Sequence, residues 1–202
     1  MISYASRTGT RRNLDALRFS GWRLLVSATG CHRSEGFQYA LDNGAWTAFQ
    51  QGRTFDESAF TRALRKMGRD ADWTVVPDIV AGGLASLEMS LRWMRVVLDE
   101  SPCALIAVQD GMSPNDVAEF IGPRVGVFIG GSTSWKLSTM STWSTLAQNK
   151  GAWCHVGRVN SVRRISACAG CGATSFDGTS ATKFAVTIPK LTHARDQIAL
   201  RF

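Results

Sequence analysis

The sequence predicts an α/β protein of the (β/α)8-barrel class, a compact TIM-like barrel in one domain over residues 1–202. Three observations carry that prediction. Short, β-rich apolar runs alternate with amphipathic stretches; eight such runs are present; and each ends in a polar residue or a glycine. Continuous apolar strands alternating with helices indicate a parallel sheet covered on both faces. Eight units close into a barrel, and 202 residues sit at the lower size limit of that fold. An open doubly wound sheet is the alternative.

The elements follow in order. Ile2 to Ala5 reads as the first strand. Arg11 to Phe19 reads as a helix with Leu14 and Leu17 inward, ended at Gly21, where a left-handed residue is tolerated. Arg23 to Ala28 and Phe37 to Asp42 are strands two and three, joined by a loop instead of a helix. Thr54 and Glu57 form a capping box before a helix whose face carries Phe55, Ala59, Phe60, Ala63, Leu64 and Met67. Trp73 to Val80 is a buried strand with Pro77 near its end, and Leu87, Leu91, Met94 and Leu98 mark the next helical stripe. Cys103 to Gln109 is a strand, after which Ser113 and Pro114 supply a cap and an N1 proline. Val125 to Gly131 is a strand and Trp135 to Asn149 its helix; Trp153 to Gly157 and Ser161 to Ala169 repeat the unit. Thr174 to Asp177 is the last strand, followed by a helix around Leu191 to Leu200.

Composition bounds the function. Apolar residues make up 45% of the chain, enough for a sizeable core, and charged residues 19%, below the roughly 25% average. Lys and Arg number 23 against 16 Asp and Glu, a net charge of +7 that favours an anionic partner, most commonly nucleic acid. No apolar run approaches the ~20 residues of a membrane span, and MISYASRTGTRR lacks the apolar core of a signal peptide. A cytoplasmic protein without membrane contact is expected. The five cysteines are an odd count, which suits reduced thiols. Cys168 and Cys171 form a CxxC, but no second pair or HxxxH completes a zinc site, and packing thiols near a helix end are the better reading. No metal and no cofactor is expected.

The strand ends carry the chemistry. Asp42, Asp78, Gln109, Gly130 with Gly131, Gly157 with Arg158, and Asp177 each finish an apolar run, and in a barrel such positions line the C-terminal mouth. Singly, each aspartate also reads as a turn or cap residue; Asp42-Asn43-Gly44 passes for an ordinary turn. Three carboxylates in one mouth repel, so a cation or a division of labour must relieve them. Hard cations favour oxygen ligands, but none of the three belongs to a DxD pair, and His32, His155 and His193 are scattered. Division of labour makes one a nucleophile, one a general acid or base and one an acceptor for a polar heterocycle. Arg158, Arg163 and Arg164 follow strand seven, where barrels often hold phosphate; a solvated helix face is the plainer reading of the last two. Trp46 and Trp135 are either stacking surfaces or core.

Taken in order, these motifs resemble the tRNA-guanine transglycosylase superfamily. ALDNGAW (40–46) is similar to its general acid/base segment, and VVPDIV (75–80) to the segment gripping the purine-like edge. AVQDG (107–111) resembles its base-recognition glutamine stretch, FIGGS (128–132) its glycine pair and SFDGTS (175–180) its nucleophile segment. The resemblance spans about 140 residues and implies proton transfer by Asp42, base recognition by Asp78, Gln109, Gly130 and Gly131, and nucleophilic attack by Asp177. No cysteine follows Asp177 in this sequence, so the family's zinc-binding insertion is not expected here. The match is nearest to the short relatives that place 7-deazaguanine bases into DNA, of phage or bacterial modification type. The expectation is therefore a pentosyltransferase acting on DNA rather than tRNA, with a 7-deazaguanine base as small substrate, in a bacterial or phage-infected cytoplasm. A partner protein for strand separation stays open. So do an N-glycosidase, a non-catalytic nucleic-acid-binding barrel and an enzyme of phosphorylated sugars.

Overall fold

The computed structural model describes residues 1–6, 10–183 and 185–197. β1 (Ile2–Ser6) leads through α1 (Arg11–Phe19) to β2 (Arg23–Ser27), and β3 (Tyr39–Asp42) follows without an intervening helix. α2 (Ala45–Gln50) and α3 (Glu57–Met67) precede β4 (Thr74–Val75). Then come α4 (Leu84–Glu100), β5 (Ala104–Val108), α5 (Pro114–Val117), β6 (Val125–Ile129) and α6 (Thr133–Asn149). β7 (Cys154–Val156), α7 (Val162–Gly170) and β8 (Ser175–Gly178) complete the alternation, with α8 (Ser180–Lys183), a 3-10 turn (Ala185–Thr187) and α9 (Ile188–Asp196) after it. All neighbouring strands pair in parallel, and β8 returns to β1, closing the barrel in sequence order. The (β/α)8 class stands, and the open sheet does not.

Four details differ from the sequence expectation. β4 pairs over only Thr74 and Val75 rather than from Trp73 to Val80. Pro77 has no N–H to give a ladder, so Asp78 lies beyond the strand instead of ending it. α3 is capped by Asp56, whose Oδ1 accepts from the Ala59 amide at 2.8 Å, and not by Thr54, which lies outside the helix. α2, directly after the Asp42-Asn43-Gly44 turn, was not expected. The last helix begins earlier, at Ile188 beside Pro189, and the expected stretch beyond residue 197 lies outside the described residues.

Two apolar layers hold the fold. Outward strand residues such as Leu24, Val26, Ile106, Val127, Ile129 and Phe176 meet the helices in one continuous core. A second cluster fills the bore with Tyr4, Ala40, Trp73, Val75, Leu105 and Ala107, joined by Leu25 and Phe128. Below it, the Tyr4 hydroxyl donates to Asp72 at 2.7 Å, and Arg23 pairs with the same carboxylate at 2.8 Å. Burial and that carboxylate push the Tyr4 pKa far up. Tyr4, Arg23 and Asp72 thus close the bore toward its N-terminal end. Among the described residues no helix is long and apolar enough to cross a membrane.

Candidate active site at the barrel mouth

Side chains two residues apart on a strand share a face, and so do register partners of adjacent strands. Ala40 fills the bore, so Asp42 points into its mouth; Ala107 does the same for Gln109, and Phe128 for Gly130. Asp177 stands in register with Tyr4, another bore residue. The alternation that packs the barrel therefore aims four of the predicted residues at one opening.

Asp42 and Asp78 are held differently. Asp42 accepts from the Gly44 amide at 3.3 Å and from Ser27, its register partner on β2. Burial, and then the charges of Asp177 and Asp78, outweigh those bonds and push its pKa up to about 7. Asp78, beyond the broken β4, is caught by Asn43, whose Nδ2 donates to Asp78 Oδ1 at 2.7 Å and to the Val76 carbonyl at 2.8 Å. Burial raises Asp78 to about 6 despite that bond. At neutral pH Asp42 is thus poised between acid and base, the condition for moving protons.

Asp177 is held by two donors from β7 and the turn after it. Its Oδ1 accepts from His155 Nε2 at 3.0 Å and from the Arg158 amide at 3.1 Å. His155 is fully buried, stacked on Phe128 at 4.9 Å and packed against Trp73 and Tyr4. Burial drives its pKa below the ordinary histidine value. Gly157 separates the two donors, and a Cβ there would come within 2.8 Å of the Phe128 ring and 3.5 Å of Asp177 Oδ1.

The remaining predicted residues divide. Gln109, 4% exposed, donates from Nε2 to the Ile79 carbonyl at 2.9 Å, leaving its oxygen to accept from a base N–H. Gly131 has φ +69°, and any Cβ would meet Asp110 Oδ2 at 2.5 Å. Asp110 binds the Ser132 amide and hydroxyl, both at 2.6 Å, tying the loop after β5 to the start of α6; the hydroxyl bond lowers its pKa. Gly130 precedes this turn, its amide on the Val108 carbonyl. Arg158 turns inward: its guanidinium lies 4.1 Å over the Trp46 ring and donates to the Gly131 carbonyl. Since β3 and β7 face each other across an eight-stranded barrel, that side chain spans the mouth. Arg163 is exposed and Arg164 half-buried on the first turn of α7. Trp46 is 36% exposed and stacked on Phe49, whereas Trp135 packs on the core Trp143.

Sequence reasoning missed His155, Asn43 and Lys136. His155 had a usable signal, since it lies two residues before Gly157 on the strand and so faces the bore. Lys136 is 5% exposed, with Nζ on the Gly157 carbonyl, and burial lowers its pKa to about 8. Among the described residues no group of three or more His, Cys, Asp or Glu is arranged to hold a metal. Cys168 is buried in the core and its thiol is pushed up to about 12, a packing position. No protein-family model matches this chain, and no curated protein matches it.

Proposed function

We propose that the chain is a nucleic-acid guanine transglycosylase, exchanging guanine for a 7-deazaguanine base in DNA through a covalent aspartyl–sugar intermediate. One observation carries the reading. Asp42, with a pKa near 7, is electrostatically coupled in one mouth to Asp177, a carboxylate fixed by two N–H donors. Two carboxyls in contrasting environments are the acid/base-plus-nucleophile pair that glycosidic chemistry uses. The order of the mouth residues along the chain, which resembles the transglycosylases, assigns the roles.

Asp177 attacks C1′ as the glycosidic bond breaks through an oxocarbenium-like state, dividing one hard displacement into two easier steps. Asp42 gives a proton to the departing base and takes one from the incoming base. Asp78 and the oxygen of Gln109 accept from the amino and ring N–H groups of a guanine-like edge. A stacked base cannot reach the mouth, so it is flipped out or single-stranded. Phe49, exposed on the rim and stacked on Trp46, offers a face for it. The +7 charge favours a nucleic acid, with Arg163 and Arg164 toward its backbone; the resemblance to the short DNA-modifying relatives favours DNA over tRNA.

The test supplies labelled 7-deazaguanine base with guanine-containing DNA or tRNA. Label retained in DNA, with guanine released in equal amount, is the expected result. Guanine release without incorporation makes the protein an N-glycosidase, and neither event on any nucleic acid refutes the proposal.

A further inference from the structure

The Asp177 carboxylate is held from one side only. Both of its hydrogen bonds fall on Oδ1, and among the described residues none falls on Oδ2. The first donor has its tautomer fixed by a chain through the bore. Trp153 Nε1 has only a hydrogen to give, and gives it to Ser175 Oγ at 2.7 Å. Ser175 Oγ lies 2.8 Å from His155 Nδ1. Every donor finds an acceptor only if the serine hydrogen points at Nδ1 and the ring hydrogen sits on Nε2, facing Asp177. The opposite tautomer sets a bare nitrogen against a carboxylate oxygen.

The second donor is a polarised peptide. The Arg158 amide on Oδ1 belongs to the same peptide unit as the Gly157 carbonyl, and that carbonyl accepts from the Lys136 ammonium. A cation on the oxygen end of a peptide strengthens its N–H as a donor. Arg158 holds φ +60°, a left-handed conformation that a non-glycine residue adopts only at a cost. The same turn sets its amide on Asp177 Oδ1 and the Val159 amide on the Asp177 carbonyl.

We propose that Asp177 attacks through Oδ2, and that His155 and Lys136 are positioning residues which hold Oδ1, Lys136 acting through the Gly157–Arg158 peptide. This rests on the base-exchange reading and deepens it. In the first step the C1′–Oδ2 bond forms and the C1′–N bond breaks, its electron pair leaving on the base nitrogen, which takes a proton from Asp42. Oδ1 becomes the ester carbonyl and keeps both donors. In the second step the incoming base gives its proton to Asp42 and bonds to C1′, and the C1′–Oδ2 pair returns to Asp177. Negative charge then reappears on a carboxylate with two N–H groups waiting for it, so the donors speed discharge of the intermediate more than its formation.

Rapid-quench mass spectrometry of the Asp177 adduct separates the two steps. His155→Phe preserves the aromatic packing and removes the N–H; the adduct should form and then discharge roughly 10- to 100-fold more slowly, as for a lost hydrogen bond to a charged group. Lys136→Met should shift the same partition in the same direction, and His155→Gln, which returns an amide N–H, should restore discharge in part. Because His155→Phe risks misfolding, nitrogen-15 NMR of wild-type His155 reads the network without turnover. Nε2–H with a bare Nδ1 supports the proposal. The Nδ1–H tautomer, or an unchanged formation-to-discharge ratio in both folded variants, overturns it. A wild type that never forms an adduct sinks the base-exchange reading instead, whatever the tautomer.

Discussion

Replacing Asp42 with Asn tests the electrostatics of the mouth without requiring any substrate. The pKa of Asp42 rises from 3.8 unfolded to about 7 folded, chiefly through burial and then through Asp177 and Asp78. The folded state therefore holds an extra proton between those two values. Stability from this group is full below pH 4, declines as pH rises, and is gone above about pH 7. A shift of about 3 units corresponds to ~4 kcal/mol at ~1.4 kcal/mol per unit. Partial solvent access and side-chain relaxation reduce the expectation to ~2 kcal/mol. Asn cannot ionise, so the variant loses this dependence while keeping the other titrating groups. Urea unfolding at pH 4 and pH 8 should show the wild type losing ~2 kcal/mol relative to Asp42→Asn across the window. That is a relative midpoint shift of ~1 M for an m-value of ~2 kcal/mol/M. A difference between the proteins that does not change with pH would refute the half-buried, carboxylate-facing environment assigned to Asp42.

Other consequences follow from single contacts. Asn43→Ala removes the bond that lowers the Asp78 pKa, so carboxyl NMR should show Asp78 titrating above its value of about 6; the abandoned Val76 carbonyl should cost ~1–3 kcal/mol in denaturant unfolding. Gly157→Ala drives a methyl into the Phe128 ring and should lower stability by ~1–3 kcal/mol in calorimetry, with slower turnover as the Asp177 donors shift. If Arg163 and Arg164 hold phosphates, each Ala variant should reduce the slope of log affinity against log salt by about 1 in a DNA titration, whatever the DNA sequence. An unchanged slope makes them a solvated helix face.

The barrel was legible because strand burial is a local pattern. The apolar runs ending at Asp42, Gln109 and Asp177 announce both a strand and the side chain two residues beyond the last bore residue. Where the pattern broke, so did the reading. Pro77 cut β4 short, and Asp78 reaches the site only because Asn43, 35 residues earlier, catches it. His155 and Asp177 are 22 residues apart, and Lys136 and Gly157 are 21 apart. Such pairs depend on closure of the barrel, which no local spacing encodes. Arg158 was expected on nucleic-acid backbone. Its guanidinium stacks on Trp46, a contact made possible by the unexpected α2 and the left-handed turn after β7.

The central claim is that Asp177 becomes covalently bonded to a nucleotide sugar. Acid quenching of the protein during turnover with guanine-containing DNA, then peptide mass mapping, measures it directly. The peptide carrying Asp177 should gain the mass of a guanine-free DNA strand, reduced to a base-free deoxyribose phosphate by nuclease trimming, and this gain should be absent in Asp177→Asn, whose turnover falls at least about a thousandfold. Turnover by the wild type with Asp177 unmodified at every quench time, or undiminished turnover by Asp177→Asn, contradicts it.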